Sequence, residues 1–313
     1  MSIVHLTTTG PDGGDAARDA EAVRALRLRG ADALEAAYDF LEKVGDSWAF
    51  LRAQVLCGAR PPGDLIERLG DVQAADGSLP IGTLISGGGL GFPSIDPAEL
   101  DRDATALVGT LEALLVAADA KAIHAEWVEP AVRCLEGLQA EDGAFRVPSV
   151  DSALSTDEID VFWTGMVAGV LGRTPVSRPS TLEAAGAFLA PRFDPDKVEN
   201  DGYSALLAYS HYFTNVADEL SDEALQWCGR ALEKGFRSRQ QDAVSTLRVL
   251  MTCDAQAMPG ATFDVAELLE RVLEEQAGDG GFAELSMQGP EGRTTQTFDA
   301  MLAVVRLCAA FGD

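Results

Sequence analysis

Hydrophobic residues recur at helical spacing in two kinds of segment along this chain. In the first kind, such as "TFDVAELLERVLEEQ" at 262–276, Leu268, Leu269 and Val272 share one face while acidic residues occupy the other. In the second kind, such as "DEIDVFWTGMVAGVLG" at 157–172, nearly every face is apolar. Because a helix that is apolar all round must be covered on all sides, the pattern predicts buried helices wrapped by amphipathic ones.

The two kinds of segment alternate and form about six helical hairpins, and strand signals are nearly absent. The buried members are predicted to begin near Ser47, Asp101, Asp157, Asp201, Asp242 and Thr294. We therefore expect an all-α fold, an (α/α)6 barrel with an inner and an outer ring of helices. Residues 21–313 would form this single domain, and residues 1–20 would be a flexible N-terminal arm.

A short motif recurs between the helices, as "QAADGSL" at 73–79, "QAEDGAF" at 139–145 and "QAGDGGF" at 276–282. Gln139 follows Gln73 by 66 residues and precedes Gln276 by 137, close to twice that spacing, with a weaker "ENDGYSAL" at 199–206 between them. Glycine after Asp permits a left-handed turn, and the Gln and the final Leu or Phe can tie that turn to its neighbour.

Composition excludes several classes of partner. The formal net charge of −26 argues against nucleic acid, which is bound through excess Lys and Arg. The N-terminus lacks the features of a signal peptide, and no stretch is long and apolar enough to span a bilayer, so we expect a cytoplasmic protein. The five cysteines and three histidines are scattered singly, which argues against disulfides and zinc, and no cofactor is expected.

The repeated Q-x-x-x-G-x-[LF] resembles the Q-x-x-x-G-x-W motif of the squalene-hopene and oxidosqualene cyclase superfamily. "DRDATA" at 101–106 resembles that superfamily's D-x-D-D-T-A motif, whose middle aspartate protonates an alkene or epoxide, although Ala104 stands where a third acid is usual. "TTQTFDAMLAV" at 294–304 is similar to the family's S-x-Q-T-A-W-A-L-L-A-L helix.

The resemblance implies the toroid of terpenoid cyclases and protein prenyltransferases, and class II cyclisation started by protonation. The chain has room for one helical domain, so it is most similar to single-domain cyclases of meroterpenoid precursors. The implied substrate is a lipophilic linear polyprenyl or meroterpenoid chain, converted to a polycyclic isomer. Loose association with a membrane that stores this substrate is left open.

Two acids would start the reaction. Protonating an alkene needs an acid that keeps its proton in a dry site. If Asp101 is the N-cap of a helix, Asp103 lies in the first turn, where it would point into the ring and donate the proton while Asp101 orients it. The alternative is that both are ordinary helix-start residues.

A cyclase also needs aromatic faces to stabilise the developing cation. The candidates lie in the predicted buried helices, where core packing is the alternative role of each one. They are Trp48, Phe162, Trp163, Tyr203, Tyr209, Phe213 and Phe298.

Other functions stay open at this point. Asp103 with Asp160 or Asp242 could serve a carbohydrate-active barrel as paired carboxylates. Asp157 with Asp160 is a second acid pair, and helix initiation is the commoner role of Asp157, Asp160 and Asp242. A non-catalytic barrel of the same type could bind a lipophilic ligand. A diphosphate head group would need a basic rim, for which the candidates, each more commonly ion-paired, are Arg52, Arg102, Arg146, Arg239 and Arg293.

Overall fold

The computed structural model describes residues 13–79, 95–96, 98–149, 154–200, 203–254, 258–282 and 293–311. Within these ranges the fold is all-α, as predicted, and no strand is present. The glycine-rich loop at 85–94 and the residues Asp201 and Gly202 of the weaker repeat lie outside them. The helices are α1 (Gly13–Val44), α2 (Ser47–Leu56), α3 (Pro62–Asp71), α4 (Arg102–Asp119), α5 (Val128–Gly137), α6 (Thr156–Gly172), α7 (Pro179–Leu189), α8 (Pro195–Asn200), α9 (Tyr203–Asn215), α10 (Ser221–Arg237), α11 (Ala243–Thr252), α12 (Val265–Glu274) and α13 (Thr294–Ala310).

Two sets of helices reproduce the two kinds of segment. Helices α2, α4, α6, α9, α11 and α13, called here the core helices, are largely buried, and each begins within two residues of its predicted start. Helices α1, α3, α5, α7, α10 and α12, called the cover helices, pack over them. The cover helix α1 begins at Gly13, inside the segment expected to be an N-terminal arm.

Short polar side chains begin most of the core helices. Asp46, Asp101 and Asp242 are N-caps whose carboxylates accept hydrogen bonds from backbone N–H groups of the first turn. Ser155 caps α6 in a capping box with Glu158. These caps satisfy N–H groups that have no partner within the helix, so the starts of the buried helices are fixed by local sequence.

The core helices pack in a cyclic order. Helix α4 contacts α6, α6 contacts α9, α9 contacts α11, α11 contacts α13, and α13 contacts α2. Arg52 of α2 reaches Asp119 of α4, with 3.3 Å between Nη2 and Oδ2, which joins the last pair. Helix α11 also contacts α4 across this cycle. The core helices therefore approach one another across the cycle as well as around it.

The three repeated turns share one hydrogen-bond arrangement. The Nε2 of Gln73 donates to the carbonyl of Gly77 in its own turn at 3.0 Å and to the carbonyl of Trp127, at the start of α5, at 2.9 Å. Gln139 makes the same pair of bonds to its own turn and to α7, and Gln276 to its own turn and to Ala33 of α1. Each glutamine thus fastens its turn to another cover helix.

Two further contacts recur in every turn. The last residue of each motif donates its backbone N–H to a threonine hydroxyl of the following core helix, namely Thr110, Thr164 or Thr297. The aspartate of each motif pairs with an arginine, as Asp76 with Arg102, Asp142 with Arg146 and Asp279 with Arg293. The motif is therefore a structural connector between cover and core helices, which is the main role that its sequence predicted.

No described helix combines the length and the apolar character that crossing a bilayer requires.

Gly280 tests the importance of these turns because two constraints act on it. Its φ is +91°, and a Cβ there would overlap the backbone carbonyl of Ala36 in α1. Gly280→Ala is expected to lower the free energy of unfolding by at least about 2 kcal/mol, since the strain and the overlap act together. Urea unfolding followed by circular dichroism measures the change.

Gly278, in the same turn, is the matched control. A Cβ at Gly278 meets nothing within 4 Å and the backbone there is not left-handed, so Gly278→Ala should change the unfolding free energy by less than about 1 kcal/mol. Equal losses in the two variants would contradict this account of the turn.

Candidate functional site

The two predicted catalytic acids lie at the start of α4. Asp101 is the N-cap, with φ −73° and ψ −180°, and its Oδ1 accepts the backbone N–H of Ala104 at 2.8 Å. Asp103 follows in the first turn. This is the local geometry that the sequence predicted, and it leaves the carboxylate of Asp103 without an ion pair among the described residues.

The surroundings of these acids differ from the expectation of a dry site. The side chains of Asp101 and Asp103 are both exposed in the described structure, at the end of the molecule where the core helices begin. That end is called here the helix-start end. The carboxylate of Asp103 is therefore open to water rather than enclosed in a dry site.

All the predicted aromatic residues whose side chains the structure describes are buried. Trp48, Phe162, Trp163, Tyr209, Phe213 and Phe298 are each less than 8% exposed. Tyr203 begins α9, and its side chain is not among those described.

The structure brings only part of this aromatic set together. The rings of Tyr209 and Phe213 are stacked, with centroids 6.0 Å apart, and Phe193 packs edge-on against both. Trp48, on the core helix α2, lies under the guanidinium of Arg68 from the cover helix α3. Phe162 and Trp163 contact each other edge-on, with ring centroids 5.3 Å apart. The set therefore forms two close pairs, Tyr209 with Phe213 and Phe162 with Trp163, while Trp48 lies elsewhere in the core.

A pocket of about 420 Å³, including space open to solvent, lies beside Tyr209. Its walls come from the starts of α6 and α9 and from the segment after α7, namely Leu154, Asp157, Glu158, Val161, Arg192, Ser204, Ala205 and Tyr209. Asp157 accepts a hydrogen bond from the Nε of Arg192 at 2.9 Å across this pocket rim. Burial raises the pKa of the Tyr209 hydroxyl, so it stays protonated and can donate a hydrogen bond.

The acid pair on α6 has structural partners. Asp160 accepts a hydrogen bond from the Nε of Arg146 at 2.9 Å, and Asp157 pairs with Arg192. Asp242 is the N-cap of α11. Helix initiation and ion pairing therefore account for Asp157, Asp160 and Asp242, and so for both of the acids that the carbohydrate-active alternative would pair with Asp103.

The arginines considered for a basic rim are also paired with acids. Arg52 contacts Asp119, Arg102 contacts Asp76, and Arg239 contacts Glu274. Arg146 and Arg293 pair with the aspartates of their own repeated turns. Their positive charge is largely compensated, which disfavours a diphosphate at any of them.

A buried ion network, which the sequence pattern did not predict, lies in the interior. Arg248 of α11 donates to Asp119 of α4 at 2.9 Å and to Asp299 of α13 at 3.4 Å, and Arg52 of α2 also contacts Asp119. These four side chains are almost completely buried. The signal was present as single charged residues within otherwise apolar core helices, which must find partners of opposite charge.

Burial raises the pKa values of two acids in or beside this network. Desolvation raises the pKa of Glu112 to about 8, and the charge of Arg52 only partly opposes it. Desolvation likewise raises the pKa of Asp299 to about 6, against the opposing charges of Arg248 and Arg52. Glu112 therefore holds its proton at neutral pH.

The chain matches no protein-family model, no curated protein and no solved structure.

Glu112 should make stability depend on pH. Because the pKa of Glu112 is raised to about 8 in the folded protein, its contribution to stability is complete below about pH 4.5 and is lost as the pH rises through about 8. Glu112→Gln keeps the shape of the protonated acid, so the variant should gain stability over wild type by a few kcal/mol between pH 5 and pH 9.

Urea unfolding of both proteins across this range measures the difference. Glu183→Gln, at an exposed position of α7, is the control and should show no such trend. A constant difference between Glu112→Gln and wild type at all pH values would mean that Glu112 does not bind its proton more tightly in the folded state.

Substitution of Arg248 tests whether the buried ion network stabilises the fold. Arg248→Met removes the cation that faces both Asp119 and Asp299 and leaves two buried carboxylates with too little positive charge. We expect a loss of about 3–5 kcal/mol in the free energy of unfolding. Arg60→Met, which breaks an exposed pair with Asp64, should cost less than about 1 kcal/mol in the same measurement, and similar losses for the two variants would refute the role of the network.

Proposed function

We propose that the helices form an (α/α)6 barrel and that the protein is a class II terpenoid cyclase. The cyclic packing of the core helices supports the barrel. So does the order of the turn contacts, because Gln73 reaches α5, Gln139 reaches α7, and Gln276, near the end of the chain, returns to α1. A double ring requires such a return.

The proposed function rests on the geometry at the start of α4. Asp101 serves as the N-cap, and Asp103, at the helix-start end, presents a carboxylate that has no ion pair within the described ranges. In the proposed reaction, Asp103 in its protonated form gives a proton to the terminal alkene of a linear polyprenyl or meroterpenoid substrate. The carbon chain closes into rings, and loss of a proton from the final cation gives an isomer of unchanged mass.

Exposure of Asp103 sets a condition on this reaction. The bound substrate has to exclude water from the carboxylate, since a dry environment is what raises the pKa of the acid enough to hold a proton. Tyr209 and Phe213 form a stacked aromatic pair, and Tyr209 lines the pocket at the helix-start end. The paired state of the arginines favours a substrate head group without diphosphate.

The substrate would be the protein's lipophilic partner. We propose that the reaction takes place in the cytoplasm without a metal or organic cofactor, with the substrate drawn from solution or from a membrane surface.

A second candidate is a non-catalytic barrel that binds a lipophilic ligand. Ala104 in place of a third acid and the exposure of Asp103 favour it, because both weaken the proton donor. The pocket beside Tyr209 would serve this function equally well.

Turnover of prenylated phenols, polyprenols, polyprenyl diphosphates and squalene by wild type and Asp103→Asn tests the assignment. We expect one substrate class to give cyclised isomers, detected by gas chromatography with mass spectrometry, and the rate to fall at least about 100-fold in Asp103→Asn, the lower range for loss of a general acid.

Asp222→Asn is the matched control, because Asp222 is an exposed acid in the first turn of the cover helix α10. It should leave the rate unchanged. Full activity in Asp103→Asn would exclude Asp103 as the acid, and binding of a substrate class without turnover by wild type would establish the ligand-binding alternative.

A further inference from the structure

Three core helices direct polar side chains into the same interior region. Arg52 comes from α2, Glu112 from α4, and Gln296 and Asp299 from α13. Each of these residues is at most 5% exposed. They lie apart from Asp103, whose side chain is exposed at the helix-start end.

Five atoms of these side chains have no hydrogen-bond partner in the described part of the chain. They are Arg52 Nε, Glu112 Oε2, Asp299 Oδ2, and both the Oε1 and the Nε2 of Gln296. A buried polar atom without a partner costs free energy, so native proteins rarely leave one, and a group of several points to a bound polar molecule.

The contacts of the ion network place these atoms near one another. Arg52 acts electrostatically on Glu112 and on Asp299, and its guanidinium lies 3.8 Å from the ring centroid of Phe298. Gln296 precedes Asp299 by three residues on α13, so the two side chains share a face of that helix. Arg52, Glu112 and Asp299 are thus neighbours where α2, α4 and α13 meet, and Gln296 lies on the Asp299 face of α13.

We propose that Arg52, Glu112, Gln296 and Asp299 form a buried binding site for an uncharged hydroxyl group. Arg52 Nε and Gln296 Nε2 carry N–H donors, while Glu112 Oε2, Gln296 Oε1 and Asp299 Oδ2 can accept. A hydroxyl both donates and accepts, and so can satisfy members of each set at once. The hydroxyl belongs either to a water molecule or to the alcohol head of a lipophilic ligand.

The balance of buried charges around the site disfavours an ionic ligand. Arg52 and Arg248 already face Asp119 and Asp299 in this interior, and Glu112 is protonated at neutral pH. A phosphate, a carboxylate or an ammonium group would bring an additional buried charge without a partner of opposite sign. The proposal does not depend on cyclisation, and Asp103→Asn should leave the site intact.

A crystal structure of the ligand-free protein tests the site directly. We expect electron density for an oxygen at about 2.7–3.2 Å from Gln296 and at least one of the other unpartnered atoms. The density should be lost in Gln296→Met, which keeps the length of the side chain but removes its amide. Direct pairing of the five atoms with one another, with no oxygen between them, would overturn the proposal.

The affinity for farnesol and for the hydrocarbon farnesene, measured by calorimetry, identifies the source of the hydroxyl. A loss of about tenfold in farnesol affinity in Gln296→Met, with farnesene unaffected, would assign the site to an alcohol head group. Density in the ligand-free crystal with equal farnesol affinity in both proteins would assign it to water. Gln226→Met, at an exposed position of α10, is the control and should change neither measurement.

Discussion

The side-chain amide of one glutamine in each repeated turn is the contact on which the arrangement of the helices depends. Gln73, Gln139 and Gln276 each hold the carbonyl of their own turn and a carbonyl of another cover helix. Because one amide nitrogen makes both bonds, the turn and the neighbouring helix cannot move independently. Through these bonds the three turns hold cover helices beside one another over the core helices.

The interior holds buried charges as well as apolar side chains. Arg248, Asp119 and Asp299 replace hydrophobic packing between α4, α11 and α13 with a compensated set of charges. Such a network stabilises little relative to apolar side chains of the same size, but it admits few alternative arrangements because each charge must face its partner. The register of the core helices is therefore specified partly by charge.

The sequence predicted what depends on local pattern. The start of each core helix and the connecting role of the turns follow from caps, glycine and the recurrence of apolar residues. The exposure of Asp103 could not be predicted, because helix periodicity shows on which face of the helix a residue lies but not how deeply the first turn is buried in the protein. The pairing of Arg52 with Asp119 was also out of reach, since the two residues are 67 positions apart and only packing brings them together.

The bond from Gln276 to Ala33 joins residues 243 positions apart. On the ribosome, α1 leaves the exit tunnel long before the turn that secures it has been made, so its apolar face stays incompletely covered for most of synthesis. This contact between distant parts of the chain also carries a large entropy cost of loop formation. New termini placed in an exposed loop elsewhere, with the present ends linked, would bring Gln276 and Ala33 much closer along the chain and should change the order in which the helices assemble.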